Sequence, residues 1–121
     1  MLEIRNASTG RGAISYREAG DGMPLVLLHG IGSGAASWQS QLELLSDRYR
    51  VVAWDAPGYG GSDPLPFRAP SADAYADALS GFLDAVEIDA TLLVGHSLGA
   101  LMAYAFARRW PERVTGLMIA D

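Results

Sequence analysis

The chain has 121 residues, half of them hydrophobic, which is enough for one domain with a buried core. Acidic residues outnumber basic ones 14 to 9, and the net charge of −5 argues against a nucleic-acid-binding surface. The absence of cysteine excludes disulfides, thiolate catalysis and cysteine-ligated zinc. Because all nine basic residues are arginine, a phosphate-binding Walker lysine and a Schiff-base lysine are excluded as well.

Taken in chain order, Met1-Leu2-Glu3-Ile4-Arg5 lacks the apolar run of a secretory signal. No later stretch is long enough to span a bilayer, so a cytoplasmic protein without a membrane partner is expected. Glu3–Ser8 and Ala13–Ala19 alternate loosely about Thr9-Gly10-Arg11-Gly12, which predicts an antiparallel hairpin. Leu25–Leu28, Val51–Trp54, Leu92–Val94 and Leu117–Ala120 are nearly unbroken apolar runs, the pattern of strands covered on both faces.

Helical segments separate these runs. One is expected over Ser37–Tyr49, carrying Trp38, Leu42, Leu44 and Leu45. A second spans Ala72–Glu87, with Tyr75, Leu79, Phe82, Leu83 and Val86 at three- and four-residue steps, Ser71 as N-cap and Asp73 favouring the dipole. A third follows Ser97, rich in small residues, and stops at Arg108 and Arg109 before Pro111. The order β-β-β-α-β-α-β-α-β indicates an α/β fold with a mostly parallel sheet and a hairpin at its start.

In such sheets ligands gather at the carboxyl ends of the strands. Eight of the fourteen glycines fall there, in three clusters: Gly30, Gly32 and Gly34; Gly58, Gly60 and Gly61; Gly95 and Gly99. For the middle cluster an ordinary loop demand for glycine is an equal explanation. The third cluster is different, because Gly95-His96-Ser97-Leu98-Gly99 has the G-x-S-x-G spacing of a sharp strand-to-helix turn that exposes a serine hydroxyl. A Cβ at Gly95 or Gly99 would collide across the tight turn, and the free N–H groups of the helix start favour developing negative charge. That is a site for covalent catalysis by Ser97.

Several motifs in order now define a resemblance. Leu27-Leu28-His29-Gly30-Ile31-Gly32, Trp38, Val52-Ala53-Trp54-Asp55-Ala56-Pro57-Gly58-Tyr59-Gly60-Gly61-Ser62-Asp63 and Gly95–Gly99 resemble the α/β-hydrolase superfamily, and within it small esterases, enol-lactonases and carbon–carbon bond hydrolases. The resemblance covers about Gly12 to Asp121. It implies Ser97 as nucleophile, with the backbone N–H groups of Leu98 and Ile31 as oxyanion-hole donors. Losing one such donor typically costs roughly 3–4 kcal/mol of transition-state stabilisation. His29 and Gly30 would support the oxyanion loop, as Gly95, His96 and Gly99 would support the serine. His96 adjoins Ser97, but neighbouring strand residues point to opposite sides, so a packing or hydrogen-bonding role is expected rather than that of base. Trp38, Tyr59 and Met102 are candidates for pocket lining, but core is the commoner role at such positions and they are left out of the site. No cofactor and no metal is implied, and the expected partner is a small-molecule substrate.

A serine nucleophile needs a general base and an acid, which in this superfamily follow it in the order Ser, Asp or Glu, His. No histidine follows His96. Asp121 ends the sixth strand, where a loop hydrogen-bonding role is favoured over that of triad acid. Residues 1–121 are therefore expected to form one incomplete domain of six strands and three helices, lacking the lid, the last two strands and the catalytic histidine. As an isolated chain it would be hydrolytically incompetent and aggregation-prone along its exposed final strand. Two other readings compete. Gly30-Ile31-Gly32-Ser33-Gly34-Ala35 formally matches G-x-G-x-x-A after a strand, with Asp55 as a ribose-binding acid, the pattern of a Rossmann dinucleotide module. Against it, two strands precede the motif and Gly95–Gly99 is left unexplained. A non-catalytic ligand-binding protein on a hydrolase scaffold is the other.

Overall fold

In the computed structural model, which describes residues 2–120, six strands form one mixed sheet. The elements are β1 (Arg5–Thr9), β2 (Gly12–Ala19), β3 (Met23–Leu28), α1 (Gln39–Leu45), β4 (Tyr49–Trp54), α2 (Ala72–Ala85), β5 (Thr91–His96), α3 (Leu98–Arg109) and β6 (Val114–Ala120). Single 3₁₀ turns at Ala35–Trp38 and Pro111–Arg113 precede α1 and β6. The spatial order is β1-β2-β4-β3-β5-β6. The pairs β1–β2 and β2–β4 are antiparallel, and β4–β3, β3–β5 and β5–β6 are parallel. The expected α/β class and opening hairpin are thus present.

This winding explains where the core lies. The connection β3–α1–β4 runs toward β2, whereas β4–α2–β5 crosses back over β3 and β5–α3–β6 continues that way. Parallel crossovers are right-handed, so reversing direction puts the helices on opposite faces. Val26, Leu28, Val52, Trp54 and Leu93 accordingly pack under α2 and α3, while Leu25, Leu27, Val51 and Ala53 alternate onto the face of α1 around Leu42. At the centre of the larger cluster Phe82 is fully buried, with ring centroids 5.3 Å from Tyr16 and 5.8 Å from Trp54.

Helix α2 begins as expected: the Ser71 hydroxyl accepts from Ala74 N–H at 3.1 Å, with Asp73 in the first turn. It stops at Ala85 because Glu87 turns left-handed, φ 60°. The helix expected over Ser37–Tyr49 is shorter than its apolar pattern. It opens as a 3₁₀ turn and ends at Leu45, because β4 already starts at Tyr49, where Tyr49 and Arg50 pair with Met23 and Pro24. The last apolar run, patterned for cover on both faces, is the exposed final strand that was also expected: β6 lies at the sheet edge, with Leu117, Met118 and Ile119 exposed by 42, 64 and 49%.

Candidate active site

Adjacent strands β3 and β5 send their following connections to opposite faces, so a crevice opens between their carboxyl ends. Ser97 stands there. Its backbone has φ 58° and ψ −118°, a region that side-chain-bearing residues rarely enter and that persists only where surroundings enforce it. The surroundings are steric. A Cβ on Gly95 would run into the Gly99 carbonyl, and one on Gly99 into the Leu28 carbonyl. The strand, the turn and α3 therefore close together only with glycine at both places. Ser97 N–H donates to the Ala120 carbonyl at 3.0 Å, which ties the turn to the end of β6.

The Ser97 side chain is solvent-exposed and is not spent on capping α3. Leu98 follows as the first residue of α3, where backbone N–H groups have no acceptor within the helix. Facing them is the loop after β3. Gly30 lies so close that an added Cβ would sit 2.9 Å from Ser97 Cβ. Ile31, 73% exposed, lines the same open cleft of about 400 Å³ as Ser97.

His29 and His96 occupy opposite environments. His29 is buried; its Nε2 accepts from Ala56 N–H at 3.0 Å, so its proton is on Nδ1 and is donated to the Gly30 carbonyl at 2.8 Å. Its ring meets Tyr59 edge-on at 4.8 Å. Burial pushes the imidazole below the usual histidine range, against the opposing pull of the Gly30 hydrogen bond and the Asp55 carboxylate. His96 instead ends β5 exposed and lines the cleft beside Ser97. It is not packed into the core, because the strand ends there and α3 covers the sheet from Leu98 onward. The side-chain hydrogen bonds of the two histidines among the described residues all belong to His29.

Trp38 serves in both places: half-buried, it packs against the core cluster around Leu42, and it also lines the cleft together with Ser33, Ser37 and Gln41. Asp55 does not project toward a ligand: its carboxylate accepts from Ala35 N–H at 2.8 Å and from the Ser15 hydroxyl at 2.6 Å. The Gly30–Ala35 run leads into one 3₁₀ turn instead of opening a long helix. The dinucleotide reading fails on both counts. Met102 is fully buried and Tyr59 partly buried. Asp121 lies outside the described residues.

A family model described as the alpha/beta hydrolase fold matches residues 23–121. The chain belongs to this family. It is 38% identical, over 98% of its length, to a Pseudomonas putida 2-hydroxy-6-oxononadienedioate/2-hydroxy-6-oxononatrienedioate hydrolase, of which it spans 46%. Its fold superposes with TM-score 0.89 on an N-acyl homoserine lactonase, 34% identical, covering 98% of this chain and 44% of that one. It also superposes with TM-score 0.88 on a thermophilic esterase from Thermogutta terrifontis, 28% identical, covering 98% and 46%. The chain thus spans less than half the length of the curated relatives it matches. None of the helices among the described residues is long and apolar enough to cross a membrane.

Proposed function

We propose that the chain carries the nucleophile half of a serine hydrolase that cleaves a small ester, lactone or related carbonyl compound, with the carbon–carbon bond cleavage implied by the sequence resemblance among the reactions open to it. The observation that carries this reading is a non-glycine residue held at φ 58° with its hydroxyl free at the carboxyl edge of the sheet. Ser97 Oγ attacks the substrate carbonyl as its proton passes to a base. The tetrahedral oxyanion is held by the N–H groups of Leu98 and Ile31, collapse expels the leaving group, and water then releases the acyl group from Ser97. Gly95 and Gly99 make room for the turn, Gly30 makes room for Ser97, and His29 braces the oxyanion loop. His96 lines the wall beside the reacting carbonyl.

The base in this reading is not among residues 2–120. Both nitrogens of His29 are already engaged inside the core. His96 is adjacent to Ser97 in sequence, on an element whose successive side chains diverge. Residues 1–121 are in this reading one incomplete domain whose triad histidine and acid lie outside residues 2–120, a reading supported by the chain's spanning less than half the length of its curated relatives. The parent activity is hydrolytic, and the isolated 121-residue chain does not turn over.

The test uses a fluorophosphonate probe at high concentration, with the adduct mapped by mass spectrometry. The expected result is slow modification confined to Ser97 and lost in Ser97→Ala. Modification spread over other serines, or none at Ser97 in a folded chain, overturns the nucleophile and favours a binding protein on the same scaffold. In parallel, p-nitrophenyl ester turnover by the monomer should match that of Ser97→Ala. Rapid turnover by the unsubstituted chain overturns the incomplete-domain reading.

A further inference from the structure

The loop that carries Ile31 is pinned at both ends to two consecutive residues of another loop. At its start, His29 Nδ1–H and Ser33 N–H both donate to the Gly30 carbonyl, at 2.8 and 3.2 Å, and His29 Nε2 is held by Ala56 N–H. At its end, Ala35 N–H donates to Asp55 Oδ1 at 2.8 Å. Asp55 is in turn fixed from behind. The Ser15 hydroxyl donates to Oδ2 at 2.6 Å while accepting from Gly61 N–H at 3.0 Å, and the Ser62 hydroxyl donates to the Asp55 carbonyl at 2.6 Å. A Cβ on Gly34 or Gly60 would press on the carboxylate at 2.9 or 2.5 Å. The acid therefore sits in a cradle that only glycine leaves open.

The first pin has a directional consequence. The Gly30 carbonyl and the Ile31 N–H belong to one planar trans peptide and point opposite ways. Drawing the carbonyl inward onto buried His29 turns the Ile31 N–H outward, toward the cleft that Ile31 lines. Between the pins the loop is tied only to itself, through Ser33 N–H on the Gly30 carbonyl: Ile31, Gly32 and Ser33 are exposed, and Gly32, at φ 70°, has open space around it.

We propose that Asp55 is a second positioning residue, which with the His29 brace proposed above staples the Gly30–Ala35 loop to the end of β4 and so sets the direction of the Ile31 N–H. This rests on the oxyanion role of Ile31 proposed above. Neither residue touches substrate. His29 acts only in its neutral form with the proton on Nδ1, because a proton on Nε2 would face the Ala56 N–H, donor against donor. Asp55 acts through Ala35 N–H.

The experiment combines probe kinetics with NMR on the labelled chain. In His29→Phe the rate of fluorophosphonate attachment at Ser97 should fall by about 100-fold, the loss typical of one oxyanion donor. Asp55→Ala should slow it as well, while Asp55→Asn, which keeps an oxygen for Ala35 N–H, should recover most of the rate. Long-range ¹H–¹⁵N spectra of the unsubstituted chain should show His29 protonated at Nδ1 and bare at Nε2, with the Ala35 amide protected from exchange and the Ile31 amide exchanging freely. Folded His29→Phe and Asp55→Ala chains that label at the unsubstituted rate overturn the staple. So does an Nε2-protonated His29 or a freely exchanging Ala35 amide, and these two readouts decide the matter if a variant does not fold. A correct tautomer and protected Ala35 with no adduct at Ser97 would sink the nucleophile and leave the staple standing.

Discussion

The two halves of the sheet are built from similar apolar runs and end in different states. In β3 and β4, Val26, Leu28, Val52 and Trp54 are wholly buried, with α1 over one face and α2 and α3 over the other. In β6, Leu117, Met118 and Ile119 remain substantially exposed. The difference teaches that an apolar run specifies a strand, whereas burial is specified by its place in the sheet. Helices cover β3 and β4 on both faces, whereas α3 is the one long helix packed substantially against β6 among the described residues. The Gly30–Ala35 loop grows out of the buried half, and the Ser97 turn sits at the boundary with the open one.

The comparison is broken most sharply by Phe82→Ala. Phe82 fills the space between Tyr16, Trp54 and α2, so the variant should lose about 3–5 kcal/mol in urea unfolding, since a cavity this deep collapses only in part. A loss below 1 kcal/mol would mean that the two halves are packed alike. Next in size is an acid effect on the buried half. Burial holds the folded His29 below its ordinary value of 6.5, with Asp55 opposing and the Tyr59 ring packed against it. Between the folded value and 6.5 the unfolded chain binds the extra proton. Stability should therefore be fully present above about pH 6.5 and decline as pH falls through that window, and His29→Gln should flatten the decline. An unchanged pH profile in His29→Gln would place the acid sensitivity elsewhere.

The smallest effect on stability belongs to β6. Leu117→Ala should cost under about 1 kcal/mol, the usual range for a surface position. Met118→Lys should leave stability nearly unchanged while lowering self-association in analytical ultracentrifugation, because charge blunts an exposed strand edge. Equal self-association in both chains would mean that this edge is not the sticky surface.

Much of the fold was legible before any coordinates. The Ser71 cap, the three-four spacing of α2 and the hairpin glycines each act within a few residues of their own position. The crowding at Gly95 and Gly99 was legible too, although Gly99 meets the Leu28 carbonyl of β3 rather than only its own turn. The length of α1 was not, because strand pairing at Tyr49 and Arg50 overrode a helical pattern. Spacing likewise placed Trp38 against the core, as it is, without placing it at the cleft: it reports which face of an element a residue occupies, not which crevice that face borders.

Asp55 is the clearest case. From sequence it was open to two readings, a ligand for ribose or part of a glycine-rich loop, and its neighbours in the chain do not discriminate. Its partners Ala35 and Ser15 lie 20 and 40 residues away. What the amino-acid order determined on its own is every feature ruled by local sterics and periodicity: the strand–helix alternation, the caps, and a serine that only flanking glycines could hold in a left-handed turn. What the tertiary structure decided is which polar groups meet, which tautomer His29 adopts and which apolar strand stays open. Those depend on sheet order and crossover direction, which join atoms distant in the chain and are written in no single segment of it.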